Sequence, residues 1–319
     1  MKISIVMTVY NGERYLKEQI DSFLNQTLLP DEIIIVDDCS SDKTIEIIEK
    51  YKKNYPDKIK FFKNEHNLGF TKNFEKAISK SSGDVIFLSD QDDFWYKNKI
   101  QTVIKKYETY PNVDLIIHDA DLVNENLKKT NHSALSQVMS GFNNTDVFIT
   151  GALTSFKKNL LKYFLPFPKS LVGHDGFIHF VSKNLNRRMV INDKLQMIRR
   201  HTNNTSGWVA SSLKQINTFD VFKQQFFSKR AKHYNDRLDQ VIHVINILEN
   251  LKFEKHNFSN ETLLLSQIEL KKEKEALEKR NLIEQKNFFK KKLIAFELLA
   301  KNQYKYFNGY KSFIRDLLR

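Results

Sequence analysis

Three aspartates stand within four positions in Asp90-Gln91-Asp92-Asp93, directly after the apolar run Asp84–Ser89. The run is short and rich in β-branched and aromatic residues, which is typical of a buried strand. Carboxylates this close repel one another unless a cation lies between them, and hard oxygen ligands suit Mg²⁺ or Mn²⁺. A solvated acidic loop is the alternative, but Phe94-Trp95 follows at once and such a pair is seldom left in water. The sequence therefore predicts a divalent-metal site at this strand end.

Strand-like and helix-like segments alternate over the first two hundred residues. The predicted strands are Ile3–Val9, Glu32–Asp38, Ile59–Phe62, Asp84–Ser89 and Val113–His118, and the predicted helices are Glu13–Leu24, Thr44–Ile48, Thr71–Lys80 and Asn98–Tyr107. Strands that alternate with helices of this length indicate right-handed βαβ crossovers. We therefore expect an α/β fold with a mostly parallel, Rossmann-like central sheet flanked by helices.

Polar clusters follow three of these strands, at Thr8–Gly12, Asp37–Ser40 and Asp90–Asp93. In open α/β sheets, ligands bind beyond the carboxyl ends of the strands. The sequence has no P-loop, no dinucleotide fingerprint, no zinc-type His/Cys spacing and no nucleophile elbow. What remains suits a nucleoside diphosphate: a carboxylate for a pyrimidine N–H, the aromatic Tyr10 for the base, and a cation for the diphosphate.

Four motifs resemble the inverting glycosyltransferases of family two, which have the GT-A fold. They are Val6–Gly12, Ile35–Asp42, Asn67–Gly69 and Asp90–Trp95, and the resemblance covers about residues 1–210. The Asp-Gln-Asp-Asp-x-Trp form is most similar to the rhamnosyltransferase-like branch, which builds bacterial surface polysaccharides. The resemblance implies metal-dependent inverting transfer, with Mn²⁺ or Mg²⁺, from a nucleotide sugar to a glycan or lipid-linked acceptor in polysaccharide or lipopolysaccharide synthesis. The donor could be dTDP-rhamnose or a UDP-hexose.

The resemblance also implies roles for individual residues. Asp175, within Gly173–Ile178, matches the family's catalytic base, and His174 stands where many relatives have Glu. Arg199–Gly207 resembles the family's closing segment, whose His or Arg meets the diphosphate or the metal. The other implied positions are Thr8, Tyr10, Asn11, Asp38, Asn73 and Asp90 for the nucleotide, Asp90, Asp92 and His201 for the metal, and Asp93, Trp95, His174 and Arg200 for the donor or acceptor. Structural alternatives stay open: Asp175 as the N-cap of a helix at Gly176–Lys183, His201 as an exposed loop residue, and Trp95 as core.

Charge divides the chain into two parts. The net charge is +13 overall, and from Leu213 onward 22 Lys and Arg stand against 13 Asp and Glu. We therefore expect a catalytic domain over residues 1–212 and a basic helical domain over 213–319. Two sets of apolar residues have the spacing of helical faces: Leu238, Val241, Ile242, Ile245 and Leu248, and then Leu263, Leu264 and Ile268. The second part also mixes lysines with apolar residues, for example in Lys290–Phe296, which favours an anionic membrane surface as a partner. An ordinary helical bundle with a solvated basic face is the alternative.

Composition also bears on location and partners. No stretch of 18 or more apolar residues could span a membrane, and the single cysteine, Cys39, fits a reducing compartment. We therefore expect a cytoplasmic protein, peripheral on the inner face of the cell membrane, that can form oligomers. A nucleic-acid partner is not expected, because the basic charge lies away from the strand-end acids. A catalytically inactive sugar-nucleotide-binding module remains the alternative from another functional class.

Overall fold

The computed structural model describes residues 1–201, 212–227, 234–251, 260–283, 288–307 and 309–318. The described strands are β1 Ile3–Val9, β2 Glu32–Asp37, β3 Ile59–Lys63, β4 Val85–Ser89, β5 Phe94–Trp95, β6 Leu115–Asn124, β7 Lys129–Ser133, β8 Thr154–Lys157 and β9 Arg188–Arg200. The described helices are α1 Leu16–Leu24, α2 Thr44–Asn54, α3 Phe70–Ser79, α4 Lys99–Thr109, α5 Ala134–Phe142, α6 Leu161–Phe164, α7 His174–Asn184, α8 Thr218–Phe227, α9 Tyr234–Leu251, α10 Asn260–Ile283, α11 Phe288–Ala300 and α12 Tyr310–Leu318.

The described strands form one mixed sheet in the order β3-β2-β1-β4-β8-β6-β9-β5, with β7 paired to β6. Strands β1 to β4 are parallel to one another, β8 runs antiparallel between β4 and β6, and β6 pairs with β9 in parallel. The predicted α/β class with flanking helices is confirmed. The carboxyl ends of β1, β2 and β4 meet at one edge, as the polar clusters after these strands predict.

Helix faces predicted from apolar spacing are buried against the sheet. In α1, Leu16, Ile20 and Phe23 are fully buried, and in α3 the buried set includes Ala77 and Ile78. The three α1 residues belong to a core that includes residues of β1, β2 and β4, and α3 packs on β1 and β2. These strands are mostly apolar, as expected of strands covered on both faces. Burial of an amphipathic face, rather than intrinsic propensity, stabilises helices as short as these.

The sheet also contains strands that the sequence did not predict. Strand β8 has four residues, and β9 carries charged or polar residues such as Arg188, Asn192, Asp193 and Lys194 that hide any period of two. Strand β6 extends beyond the predicted His118, because its ladder to β9 continues through two register shifts. The predicted segments therefore found β1 to β4 and the first part of β6, and missed β5, β7, β8 and β9.

Contact clustering divides the chain into two compact units. The first holds the described residues of Met1–Phe167, Gly173–Lys183 and Arg187–Ser228, and the second those of Pro168–Val172, Asn184–Asn186 and Lys229–Arg319. The second unit contains α9 to α12, and α10 packs on α9 and α11. The domain division at residue 212 stays a prediction. Among the described helices, none is long and apolar enough to cross a membrane.

The predicted helical faces of the second unit are only partly correct. Val241, Ile245 and Leu248 of α9 are buried as predicted. Of the predicted face on α10, Leu263 is buried, but Leu264 and Ile268 are exposed. The reason is that the residues of α10 that pack inward after Leu263 include polar ones, among them Gln267 and Glu273, so apolarity did not mark the buried face.

One buried carboxylate ties together the amino-terminal ends of four neighbouring chain segments. Glu32 at the start of β2 accepts hydrogen bonds from the hydroxyl of Ser4 in β1 at 2.6 Å, the ammonium of Lys60 in β3 at 2.6 Å and the backbone N–H of Ser82, ahead of β4, at 2.6 Å. Burial acts to raise the pKa of Glu32, but these hydrogen bonds outweigh it and lower the pKa to about 2. The ionised carboxylate therefore stabilises the sheet on the edge opposite the polar clusters.

We predict that Glu32→Gln lowers the free energy of unfolding near neutral pH by about 2–3 kcal/mol, since it leaves charged and hydrogen-bonding partners imperfectly matched. Because the folded-state pKa lies below the ordinary value of 4.5, the stabilisation is present above about pH 4.5 and disappears as the pH falls toward 2. Urea unfolding of both proteins across this range measures the difference. Glu49→Gln, which removes an exposed ion pair on α2, is the control; a pH-independent difference for Glu32→Gln would contradict the assignment.

Candidate active site

The acidic cluster lies in the short connection between β4 and β5. Oxygen atoms of Asp90, Asp92 and Asp93 all lie within 4.8 Å of one another, and the three side chains run from exposed through half-buried to buried. A turn this tight between two strands of the same sheet leaves the carboxylates no room to separate. The predicted crowding of charge at the end of the strand is therefore present in the structure.

Asp93 is the carboxylate that the protein itself holds. Its two oxygens accept hydrogen bonds from the side-chain amide of Gln196 at 2.9 Å and from the backbone N–H of Arg199 at 3.1 Å. Burial, followed by the charges of Asp92 and Asp90, raises its pKa well above the ordinary value. The donor or acceptor contact that the resemblance implies for Asp93 stays a prediction, but its burial and two protein partners favour an orienting role.

A lysine lies fully buried beneath the cluster. The ammonium of Lys99 is 2.5 Å from the Gln196 side-chain oxygen, 3.3 Å from the carbonyl oxygen of Ala152 and 3.5 Å from the centre of the Trp95 ring. Burial lowers the pKa of Lys99, whereas the charges of Asp93 and Asp90 oppose that shift. Lys99 therefore interacts electrostatically with Asp93 and Asp90 from the buried side of the cluster, and the sequence reasoning missed it. Its burial could have been predicted from the sequence, because Lys99 precedes Val103 and Tyr107 by four and eight residues and so lies on the same buried face of α4.

The position of Trp95 corrects one expectation. Its ring is 1% exposed and packs edge-on to Phe23, with Phe87 beside it and Lys99 over its face. No face of the ring is open for a sugar, so a direct donor or acceptor contact by Trp95 is wrong for this structure. The core role that was left as the alternative is the one its surroundings support.

The end of β9 brings cations to the acidic cluster. Arg199 donates to the carbonyl oxygen of Asp92 at 2.9 Å and to that of Glu125 at 2.6 Å, forms an ion pair with Glu18, and lies 4.4 Å from the centre of the Tyr15 ring. It therefore fixes the backbone of the acidic turn to α1 and to the residue after β6. Sequence reasoning included Arg199 in a motif but gave it no role.

Two further residues of this segment were predicted for the site. His201 lies with Nε2 2.9 Å from a carboxylate oxygen of Asp92, and its ring packs at 4.9 Å from that of Tyr15. Its side chain is only 9% exposed, so the exposed-loop alternative is wrong. The pKa of Arg200 is lowered by burial in spite of the attraction of Asp93 and Asp92, which places its guanidinium in the field of the cluster. The rest of the predicted closing segment, residues 202–207, lies outside the described residues.

Asp175 lies in the first turn of α7 and shares the electrostatic field of Asp90. Packing of protein around Asp90, then the charges of Asp92 and Asp175, raise the pKa of Asp90 to about 7. Asp175 is half-buried, and one of its oxygens accepts a hydrogen bond from the N–H of Gly176 at 2.8 Å. Because α7 already begins at His174, Asp175 is not the residue that precedes the helix. The alternative that Asp175 is the N-cap residue, directly before the first residue of the helix, is therefore wrong.

His174 lies behind the predicted base. Its ring stacks on Phe74 at 4.0 Å and is 5% exposed, and burial lowers its pKa in spite of the charge of Asp175. A Cβ on Gly151 would come within 2.9 Å of its Nε2, so a glycine at that position gives the imidazole its space. The neutral ring supports the start of α7 from the protein side, and its implied contact with donor or acceptor stays a prediction.

The acidic side chain predicted for the pyrimidine is bound to its own loop. Asp38 accepts hydrogen bonds from the backbone N–H groups of Leu68 at 2.8 Å and Gly69 at 2.9 Å and from the Asn64 amide at 2.7 Å. Asn73 is buried, donates to the Val36 carbonyl oxygen at 3.1 Å and accepts from Asn64 at 3.0 Å. Asn73 is therefore not available to a nucleotide, because its buried amide holds the loop through Val36 and Asn64. Base recognition by Asp38 stays a prediction.

The turn after β1 is coupled to the acidic turn by a side-chain amide. Gln91 accepts from the N–H of Tyr10 at 2.9 Å and donates to its carbonyl oxygen at 3.0 Å, as a neighbouring strand would. A Cβ at Gly12 would lie 2.4 Å from the Gln91 side-chain oxygen, so glycine at this position leaves room for the Gln91 amide. Tyr10 itself is 51% exposed. Gln91 was not predicted as a site residue, although it stands inside the acidic motif.

The remaining predicted nucleotide contacts line the same edge. Thr8 is half-buried near the end of β1, and Asn11 has a left-handed backbone and accepts hydrogen bonds from the N–H and hydroxyl of Ser41. The turns after β1 and β2 are therefore joined. Because β1 lies between β2 and β4 in the sheet, Tyr10 and Thr8 lie between the loop of Asp38 and the acidic turn. Their contacts with a nucleoside stay predictions.

The side chains of the acidic turn and His201 suit a hard divalent cation, which prefers oxygen ligands. Asp90 and Asp92 offer carboxylate oxygens, and His201 lies against Asp92. Carboxylates held close together are favourably placed to bind a cation, because the cation offsets their mutual repulsion. Asp93 belongs to the same group of oxygens, but both of its carboxylate oxygens already accept hydrogen bonds from Gln196 and Arg199. Mg²⁺ and Mn²⁺ match these ligands.

A mixed sheet flanked by helices, with an acidic cluster beyond the ends of its parallel strands, defines the GT-A class. Residues 4–174 match the model described as Glycosyl transferase family 2, so this chain belongs to that family. The uncharacterized glycosyltransferase alr2836 of Nostoc sp. is 28% identical over 224 residues, which are 66% of this chain and 69% of that protein. The dTDP-rhamnosyl transferase RfbG of Shigella flexneri is 27% identical over 245 residues, 70% of this chain and 82% of that protein.

Some other curated relatives match over 115 to 125 residues only, which are 36 to 41% of their own length. Among solved structures, S. aureus TarS 1-349 in complex with UDP is similar, with a TM-score of 0.53 and 19% identity over 77% of this chain and 80% of that chain. This likeness confirms the predicted GT-A fold. The chain is a family 2 glycosyltransferase with a nucleotide-sugar-binding fold.

We predict that Gln91→Met weakens UDP or dTDP binding about tenfold, because it removes both hydrogen bonds that hold the Tyr10 backbone while keeping the side-chain length. Isothermal titration calorimetry with divalent metal present measures the change. Gln101→Met, an exposed position on α4, is the control. Unchanged affinity in Gln91→Met would show that the turn after β1 is held without this amide.

Proposed function

We propose that this chain is a metal-dependent, inverting glycosyltransferase that moves a sugar from a dTDP- or UDP-linked donor to a glycan or lipid-linked acceptor. One observation carries the proposal: a family 2 chain gathers Asp90, Asp92 and His201 at one sheet edge, with Asp175 in the electrostatic field of Asp90. Asp90, Asp92 and His201 suit a cation that binds the diphosphate, and Asp175 is a separate carboxylate that can act as a base. A single displacement at an anomeric carbon requires these two functions.

The reaction needs one base and one stabilised leaving group. Asp175 removes the proton from the acceptor hydroxyl while that oxygen bonds to the anomeric carbon. The bond from this carbon to the phosphate oxygen breaks, and its electron pair leaves with the diphosphate. Because the acceptor enters opposite the leaving group, the configuration inverts. Arg200, whose guanidinium feels the charges of Asp92 and Asp93, stabilises the negative charge of the departing diphosphate.

The donor lies along the edge formed by the turns after β1, β2 and β4. Tyr10 packs on the base, Thr8 and Asn11 line the nucleoside, and the carboxylate of Asp38 binds the pyrimidine ring. Asp90, Asp92 and His201 would hold Mg²⁺ or Mn²⁺, which when bound offsets the charge of the diphosphate. Asp93, fixed by Gln196 and the Arg199 backbone, keeps the acidic turn in place.

For the donor sugar, the similarity to a protein named dTDP-rhamnosyl transferase makes dTDP-rhamnose the first candidate. UDP-hexoses are the alternative. The corresponding role is assembly of a bacterial surface polysaccharide or lipopolysaccharide in the cytoplasm, with residues 213–319 as a separate basic helical domain. Diphosphate release from a panel of nucleotide sugars, with and without Mn²⁺, tests the proposal. Metal-dependent nucleotide binding with no release from any donor and acceptor pair would favour an inactive binding module.

We predict that Asp92→Asn weakens metal-dependent UDP or dTDP binding at least about tenfold, because an amide is a poorer ligand than a carboxylate and changes the contact with His201. Titration calorimetry with Mn²⁺ and with chelator measures the effect, and thermal unfolding confirms that the variant is folded. Asp57→Asn, exposed after α2, is the control. Full metal-dependent affinity in Asp92→Asn would remove Asp92 from the metal site.

We predict that Asp175→Asn keeps nucleotide affinity and loses about 10²–10⁴-fold in transfer rate, the usual scale of general-base catalysis. The side chain remains isosteric, and the amide oxygen can still accept from the N–H of Gly176. Single-turnover transfer and nucleotide titration on the same preparation separate the two effects. If transfer survives and only the melting temperature falls, Asp175 serves the start of α7 and another group is the base.

A further inference from the structure

We propose that α11 and α12 of the second unit form a docking face for an anionic phospholipid bilayer. The stripe on α11 consists of Phe289, Leu293 and Phe296, which are 79%, 70% and 54% exposed. Their i, i+4, i+7 spacing puts them on one side of the helix, opposite the buried Ala295 and Leu298. Large apolar side chains gathered this way on a surface mark an interaction site.

The stripe continues onto the next helix. Phe296 of α11 packs edge-on to Phe313 of α12 at 5.5 Å, and the exposed Tyr310 packs on the same ring at 5.4 Å. Ile314 and Leu318 follow Tyr310 at steps of four residues and are exposed as well. The two helices therefore present one continuous apolar face, named here the α11–α12 face, rather than scattered single residues.

Charge identifies the occupant of the α11–α12 face. Lys290 follows Phe289 and Lys292 precedes Leu293, which by helical geometry places them on opposite borders of the stripe. From Phe288 to Leu318, seven Lys and Arg stand against two acids. Those two acids are engaged, Glu297 with Lys279 and Lys301 and Asp316 with Arg280. An apolar stripe bordered by lysines matches acyl chains beneath anionic headgroups.

A second copy of the chain fits this face less well. Two identical α11–α12 faces brought together would oppose lysine to lysine at their borders, and like charges at a desolvated interface are unfavourable. The face of an anionic bilayer instead offers negative headgroups to the lysines and hydrocarbon to the rings. The inference goes beyond the proposed function, because it concerns where the protein works and does not depend on the donor.

The test is co-sedimentation of the full chain with vesicles of phosphatidylcholine alone or mixed with phosphatidylglycerol. We expect binding to the anionic vesicles that weakens as salt rises, since exposed charges are screened within about 8–10 Å at physiological ionic strength. Lys290→Gln with Lys292→Gln should weaken it about 30-fold at low salt, from about fivefold for each lysine. Lys50→Gln with Lys53→Gln on α2 removes the same charge from the first unit and should leave binding within about threefold of wild type.

Apolar contacts are tested by a matched pair of phenylalanines. Phe289→Ser should weaken binding to anionic vesicles about tenfold, whereas Phe219→Ser, at a comparably exposed ring on α8, should leave it unchanged. Metal-dependent UDP or dTDP binding in solution, measured on every variant, reports a failure of the proposed function separately. Equal binding to neutral and anionic vesicles would overturn the proposal. So would a dimer, seen by sedimentation velocity, that Phe289→Ser dissociates while vesicle binding is absent.

Discussion

Crowding of negative charge at one edge of the sheet is the constraint on which the rest of the site depends. Oxygens of Asp90, Asp92 and Asp93 lie within 4.8 Å of one another, a spacing that like charges do not tolerate without nearby cations. Two basic residues of the protein lie next to the cluster. Lys99 is fully buried at the start of α4, and Arg199, at the end of β9, donates a hydrogen bond to the carbonyl oxygen of Asp92. Desolvation, followed by the charges of neighbouring aspartates, raises the pKa of Asp90 and Asp93, so an external cation would favour their ionised forms.

This charge balance explains why β9 is long and why β5 exists. β5 has two residues, yet its antiparallel pairing to Gln196 and Met197 of β9 fixes the acidic turn against the strand that carries the cations. β9 reaches that turn after running parallel to β6 through two register shifts. Gln196 then joins both systems, because its amide donates to Asp93 and its oxygen accepts from Lys99. The antiparallel part of the sheet is thus a support for the site.

Sequence reasoning found the part of this arrangement that follows from local pattern. Unbroken apolar runs predicted β1 to β4, and the polar residues after them predicted the ligand edge. It failed where long-range contacts override local signals. Trp95 looks available beside an acidic motif, but Phe23, seventy residues earlier, covers its ring. Lys99 looks like an ordinary exposed helix residue, because only the assembled sheet shows that its ammonium lies between Trp95 and Gln196.

Residues of the same type in one motif have different surroundings, and the surroundings decide their chemistry. Asp38 and Asp93 accept hydrogen bonds from backbone N–H groups and side-chain amides of the protein, so their charge is already used to hold loops. Asp90 and Asp175 instead lie partly open at the edge, and the charge of Asp175 helps to raise the pKa of Asp90. A bound cation would relieve this repulsion at Asp90 and leave Asp175 as the carboxylate able to accept a proton. In the proposed reaction, the division of labour between leaving-group stabilisation and base would follow from which acids the protein already holds by hydrogen bonds.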